Sequence, residues 1–322
     1  MPFFSKIKNN ITSSPLANYA VKKSKATSLP GFRGIPLFDV LKFFIGQVKT
    51  VGIQERAASI AFNFVMAIPP AIIFLFTLIP LFPISKEFEQ SLYSLIKDVV
   101  PGEKDNSVLI KFLKDFINNP RNGLLSLGFV LSMFFSSNAI MGIMRSFDKN
   151  YIGFKKRTDL QKRGVALKIT SILFILVLTS TLLLIGQGAV LKLLGIKNQS
   201  VRSIIVNSRW IIVVLLFLAS ISYIYRHAPA VHKKWKLLNP GSILATALML
   251  ALTLAFSWWV SRFGNYNQLY GSIGTVLILM LLIYFNSMIL LIGFELNVSI
   301  TSLKKIADER KDNESDGSDK SD

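Results

Sequence analysis

The sequence predicts an all-α fold, a polytopic bundle of six transmembrane helices with amphipathic helices at the membrane surfaces. Of 322 residues, 51% are hydrophobic and 17% charged, with a mean hydropathy of +0.48, an apolar excess too large for a soluble domain of this length. The apolar residues are gathered into long blocks, several of which exceed the roughly 20 residues needed to cross a bilayer. The basic residues between the blocks are unevenly shared, as a membrane orientation requires.

The first 35 residues are polar and basic, with Lys22, Lys23, Lys25 and Arg33, and hold no apolar run like the core of a secretory signal. They are expected to form a cytoplasmic arm. Over 36–56, Leu37, Phe38, Val40, Leu41, Phe44, Ile45 and Val48 recur at helical spacing, with Asp39, Lys42 and Lys49 on other faces. This pattern predicts a helix lying along the inner membrane surface.

The membrane domain is expected to cover 57–300. Span one, about 57–82, is apolar apart from Ser59, Asn63 and Thr77, and the Pro69-Pro70 pair predicts a kink near its middle. Residues 84–122 return to charge, yet Phe88, Leu92, Leu95 and Ile96, then Leu109, Phe112, Leu113 and Phe116, form apolar stripes that predict two amphipathic helices on the outer side. Span two, about 124–144, carries Gly128, Ser132 and Ser136 at four-residue steps. Such a stripe of small residues lets another helix approach closely, within the chain or between copies, so self-association stays open.

Spans three and four, about 169–191 and 210–225, are apolar with few polar interruptions, and span five, about 241–260, ends on Trp258 and Trp259 at a suitable interfacial level. Span six, about 271–299, is longer than a bilayer requires. The remaining 301–322 form an acidic cytoplasmic tail. From Asp308 onward it holds seven acidic residues and no aromatic or branched aliphatic ones, a composition that predicts disorder.

With the amino terminus inside, 26 of the 37 Lys and Arg residues fall in cytoplasmic segments and 11 outside. The positive-inside rule and an even span count therefore agree on cytoplasmic termini. The formal net charge of +19 is assigned to orientation and to anionic lipid headgroups rather than to nucleic acid.

The absence of Cys, with His227 and His232 the only histidines, removes disulfides, thiol nucleophiles, Cys-based zinc sites and multi-histidine metal clusters. No serine elbow, paired carboxylates or zinc signature occurs, so no catalytic residue, metal ligand or cofactor site is assigned and an enzyme is not expected. The polar residues inside spans carry what functional signal there is.

Glu295 is the sole carboxylate in any predicted span, and an ionisable group there is expensive enough to need a partner or a purpose. About 24 residues into span six, it lies roughly 36 Å along the axis, near the cytoplasmic headgroups. Its expected ion-pair partner is a basic residue at the same depth: Arg56 at the inner mouth of span one, Arg145 after span two and Arg226 after span four all qualify, with Arg56 preferred. Asn63, Asn138 and Asn286 sit inside spans one, two and six, where each amide needs a protein partner. They serve as interhelical contacts or line a polar cavity. Gly271 and Gly274, opening span six, are candidate hinges together with Pro69 and Pro70; Tyr270-Gly271-Ser272-Ile273-Gly274 lacks the Lys of a phosphate loop.

Several segments together resemble one family. They are Arg56-Ala57-Ala58 before a proline-containing span, Ser136-Ser137-Asn138-Ala139, Arg145 to Tyr151, Pro229 with Trp235 and Pro240-Gly241, Tyr270-Gly271-Ser272, and Gly293-Phe294-Glu295-Leu296-Asn297. In order and spacing, over about residues 37–300, they are similar to the YihY/virulence factor BrkB family. That resemblance implies a six-span protein of the bacterial inner membrane whose activity is poorly defined. The family's older label, ribonuclease BN, implies a metal-dependent nuclease that two histidines do not equip. Phe294 and Asp148 depart from the small residue and the Asn common among relatives.

The expected function is transport or lipid handling for the cell envelope, with an unidentified small molecule or lipid as substrate and anionic membrane lipids held at the basic loops. The alternative is a non-transporting scaffold that binds envelope proteins or lipids.

Overall fold

The computed structural model describes residues 15–50, 52–78, 110–111, 114–115, 122–148, 157–193, 209–231, 234–262 and 272–318. Among these the chain is helical, with no strand: α1 (Pro15–Ala26), α2 (Leu37–Thr50), α3 (Ile53–Leu78), α4 (Asn122–Phe147), α5 (Asp159–Leu193), α6 (Arg209–His227), α7 (Pro240–Arg262) and α8 (Ser272–Ser318). Most of the expected outer segment 84–122 lies outside the described residues, as do Gly271 and 79–82 at the end of span one.

Among the described residues, four helices are long and apolar enough to cross a membrane: Ser126–Phe147, Asp159–Ser180, Pro240–Val260 and Val276–Arg310. Ile211–His227 is a shorter apolar helix. Their outward faces are apolar too. Ile243, Leu254 and Trp258 on α7 and Val276 and Leu277 on α8 are at least half exposed, which suits a lipid surround and not water.

Local chemistry fixes the helix boundaries. α2 stops at Thr50 because Gly52 takes the left-handed conformation, φ +62°, as glycine does just past a helix end. Residues 53–56 therefore belong to α3, which corrects the boundary expected at 56 and places Arg56 in the first turn of a long apolar helix. Pro69 and Pro70 sit inside α3, which stays helical through them to Leu78. The backbone stays helical because apolar surroundings offer freed carbonyls no water, so leaving the helix would orphan more of them. α5 starts ten residues before the expected span: Thr158 and Gln161 exchange side-chain and backbone hydrogen bonds at 3.2 and 3.4 Å, a capping box.

At the other end, α8 continues through the tail to Ser318, which corrects the expectation of disorder from Asp308. A helix already nucleated in the membrane needs only propagation to extend. Ion pairs one turn apart, Lys304–Asp308 at 2.7 Å and Lys305–Glu309 at 3.7 Å, support the extension. Counting missing apolar contacts neglected both effects.

The chain forms two compact units. One comprises Met1–Ala58, Ser146–Lys156 and Ile221–Asp322; the other comprises Ser59–Arg145 and Arg157–Ser220. In the first, Phe32 and Ile35 of the arm and Val40 of α2 form an apolar cluster with Leu296 and Ile300 of α8, flanked by Leu37, Phe44, Leu244 and Leu303. α2 thus buries one face on protein and leaves Leu41 and Ile45 exposed. In the second, Gly142 of α4 lies directly on Asn63 of α3.

Candidate functional site

Charged and polar side chains converge in the first unit around the middle of α8. Arg56 Nη1 donates to Glu295 Oε1 at 2.8 Å, with the glutamate fully buried and the arginine side chain 10% exposed. Arg56 Nη2 donates to the carbonyl of Ser146. That carbonyl belongs to the last turn of α4, where it has no partner within its own helix. One guanidinium thus joins the start of α3, the end of α4 and α8, and places positive charge at the negative end of a helix dipole. Its planar fork can serve two acceptors at once, as an ammonium of the same charge could not with fixed geometry.

Phe294, next to Glu295, is fully buried and stacks on Phe147 with ring centroids 3.9 Å apart and planes 6° from parallel. Trp235 lies 5.6 Å from Phe294, and Tyr225 lies 6.0 Å from Phe147. Tyr225 also donates its hydroxyl to the Leu290 carbonyl at 2.6 Å. The departure at Phe294 therefore supplies the centre of an aromatic cluster packed beside the ion pair.

A third group of contacts sits where α7 begins. Asn239 caps the helix: its Oδ1 accepts from Ser242 N at 2.9 Å, and Ser242 Oγ accepts from Asn239 N at 3.3 Å. Pro240 occupies the first helical position, where its missing N–H costs nothing. Asn297 of α8 completes the joint, donating Nδ2 to Asn239 Oδ1 at 2.6 Å and accepting Gly241 N at 2.9 Å. Gly241 and Gly293 face each other so closely that a Cβ at Gly293 would meet Tyr225 Oη at 2.5 Å and Ala245 Cβ at 2.8 Å. Only glycine at both places lets the backbones touch.

Beside this joint lies a cavity of about 240 Å³, lined by Arg33, Trp235, Lys236, Asn239, Asn297 and Thr301 among others, with no Asp or Glu in its lining. Arg33 reaches it from a turn with three left-handed residues: Gly31 (φ 90°), Arg33 itself (φ 54°) and Gly34 (φ 84°).

The other sequence-selected residues lie as follows. Asn63 donates to the Ser59 carbonyl of its own helix at 2.7 Å. Asn138 accepts from Arg163 Nη1 at 2.5 Å, and Arg163 also lies 4.5 Å over the Phe134 ring. Asn286 donates to the Leu282 carbonyl at 2.9 Å, while its Oδ1 is buried without a partner. Among the described residues no hydrogen bond joins one of these asparagines to another or to Glu295. Gly274 is buried within α8. Asn239, Tyr225 and Arg163 were not singled out from sequence; the Asn-Pro-Gly-Ser run at 239–242 was the available signal for Asn239, since it reads as a cap followed by a proline start.

The family model for virulence factor BrkB matches residues 44–319. The chain belongs to the virulence factor BrkB family. Among curated BrkB relatives, a ribonuclease-like protein, YfkH, of Bacillus subtilis is 27% identical over 260 residues, covering 80% of this chain and 93% of its own length. UPF0761 membrane proteins of Pseudoalteromonas atlantica and Histophilus somni are 23% and 20% identical, over 80% and 86% of this chain and 84% and 94% of theirs. No solved structure matches. The charged pair, the aromatic cluster and the α7–α8 joint all fall inside the BrkB match.

Proposed function

We propose that this BrkB protein is a six-span protein of the bacterial cytoplasmic membrane, with both termini in the cytoplasm, that handles an anionic envelope lipid. The observation that carries the reading is the clustering of polar chemistry at one set of helix ends. The start of α3, the end of α4, the end of α6 and the start of α7 alternate as six spans require. The same level on α8 holds Glu295 and Asn297. Outward apolar faces supply the contact with lipid.

α3 and α6 supply the two further spans beyond the four long apolar helices. α3 is 26 residues long with Glu55 and Arg56 confined to its first turn, and α6 is a 19-residue helix whose only basic residues besides Arg209 lie in its last turn. The basic loops then face the anionic cytoplasmic leaflet, worth about 1 kcal/mol for each Lys or Arg near the surface. Nucleic acid is not a partner in this reading, and neither is a cofactor. We also read the chain as no nuclease, despite the name carried by the Bacillus relative, because two histidines and no cysteine supply few ligands for a metal-dependent nuclease.

The test is native mass spectrometry of the purified protein with its retained lipids, comparing wild type with Asn138→Leu and Glu295→Gln. Retained anionic lipid that falls in either variant supports lipid handling. Bare protein throughout, with envelope proteins recovered in pull-downs, supports the scaffold reading instead.

A further inference from the structure

We propose that the cavity between the arm turn and the start of α7 binds the phosphate group of an anionic phospholipid headgroup, an inference that rests on the lipid-handling reading. Two cations line it, Arg33 and Lys236, neither in an ion pair among the described residues, and no carboxylate opposes them. The side chain of Trp235, 3% exposed, also lines it, and its Nε1 is buried without a hydrogen-bond partner. A buried indole N–H with no acceptor is a donor waiting for one. A guanidinium fork, an ammonium and an indole N–H form a many-donor set that suits the several oxygens of a phosphate, while Asn239, Asn297 and Thr301 beside them already donate within the protein.

The first turn of α7 adds a positive field but no free donor, because Gly241 N and Ser242 N are already taken by Asn297 and Asn239. The side chains must therefore do the binding. At about 240 Å³ the cavity is smaller than a site for a whole drug-sized molecule, roughly 300–1,000 Å³, so it accepts a headgroup and excludes the acyl chains. Those have a place beside it: Leu238, which lines the cavity, is 61% exposed and Leu237 is 46% exposed. An apolar pair directly after the basic run Lys233 to Lys236 is the arrangement of a segment seated at the headgroup boundary. The turn at 31–34 holds Arg33 in a backbone conformation that a side-chain-bearing residue adopts at some cost, a geometry that presents its guanidinium to the cavity lining.

The experiment titrates the full-length, delipidated protein with phosphatidylglycerol, phosphatidylcholine, glycerol 3-phosphate and inorganic phosphate, each followed by native mass spectrometry. Wild type is compared with Arg33→Gln/Lys236→Gln, and with Lys304→Gln/Lys305→Gln as an equal loss of charge away from the cavity. Both cavity cations are exposed, so their replacement spares the fold, and thermal unfolding checks this. Phosphatidylglycerol affinity is expected to drop roughly 30-fold in the cavity variant and to change little in the control. Inorganic phosphate that binds as tightly as the lipid, with the same sensitivity, keeps the phosphate site but makes its source soluble. Phosphatidylglycerol affinity equal in wild type and the cavity variant overturns the site. A wild type that takes up no phospholipid overturns the lipid-handling reading itself.

Discussion

Breaking the Arg56–Glu295 pair one side at a time should damage the protein far more than removing both charges together. The glutamate is fully buried and the arginine side chain 10% exposed, so truncating either takes the ion-pair partner from a charge held away from water. Losses of that kind run at about 3–5 kcal/mol. Glu295→Leu should fall at the upper end, because the guanidinium it leaves behind cannot neutralise itself by releasing a proton. In Arg56→Met/Glu295→Leu neither charge remains, and the main residual defect is the Ser146 carbonyl that Arg56 also served, worth about 1–3 kcal/mol if left dry. Thermal unfolding in detergent, followed by intrinsic fluorescence, reads the comparison at about 2–4 °C per kcal/mol. Each single variant should lose roughly 6 °C or more, and the double variant should lie above both. A double variant whose loss equals the sum of the two singles would show that the residues act independently and that the pair does not hold this joint together.

Gly293→Ala should prevent close seating of α7 on α8, since the new methyl group meets a tyrosine hydroxyl and an alanine methyl at 2.5 and 2.8 Å. A loss of about 1–3 kcal/mol is expected in the same unfolding assay. Asn239→Ala removes the α7 cap and leaves Asn297 Nδ2 without its acceptor, for a loss of about 1–2 kcal/mol. Asn239→Ser should recover part of it. Because the chain has no cysteine, single replacements report topology without background. Ser24→Cys and Ser318→Cys should react with an impermeant maleimide only from the cytoplasmic side, and Ser107→Cys only from outside.

Sequence reasoning reached the long apolar helices and the Arg56–Glu295 contact by the same route, the expense of polar groups in lipid. A lone carboxylate in a span must find a cation at its own depth, and few cations qualify. The ends of α4, α6 and α7 fall within three residues of their expected places because a change from apolar to basic sequence marks each one. The α7–α8 joint was harder to read. Asn239 and Asn297 are 58 residues apart, and nothing local reveals that a capping side chain will also accept from another helix. The Pro240-Gly241 and Gly293-to-Asn297 segments were recognisable as motifs, but their interlocking emerges only when the helices are placed together. The boundary expected at 56 and the helical tail differ for local reasons, a left-handed glycine after α2 and the propagation of an established helix beyond the membrane.

The most direct measurement is movement of fluorescent phosphatidylglycerol between leaflets of vesicles reconstituted with the purified protein, read by dithionite quenching. Faster movement than in protein-free vesicles, reduced by Arg33→Gln/Lys236→Gln and by Glu295→Gln while reconstitution stays equal, is the result expected of a lipid-handling protein. Movement no faster than in protein-free vesicles, together with envelope proteins recovered on the same preparation, would contradict it and leave a membrane scaffold.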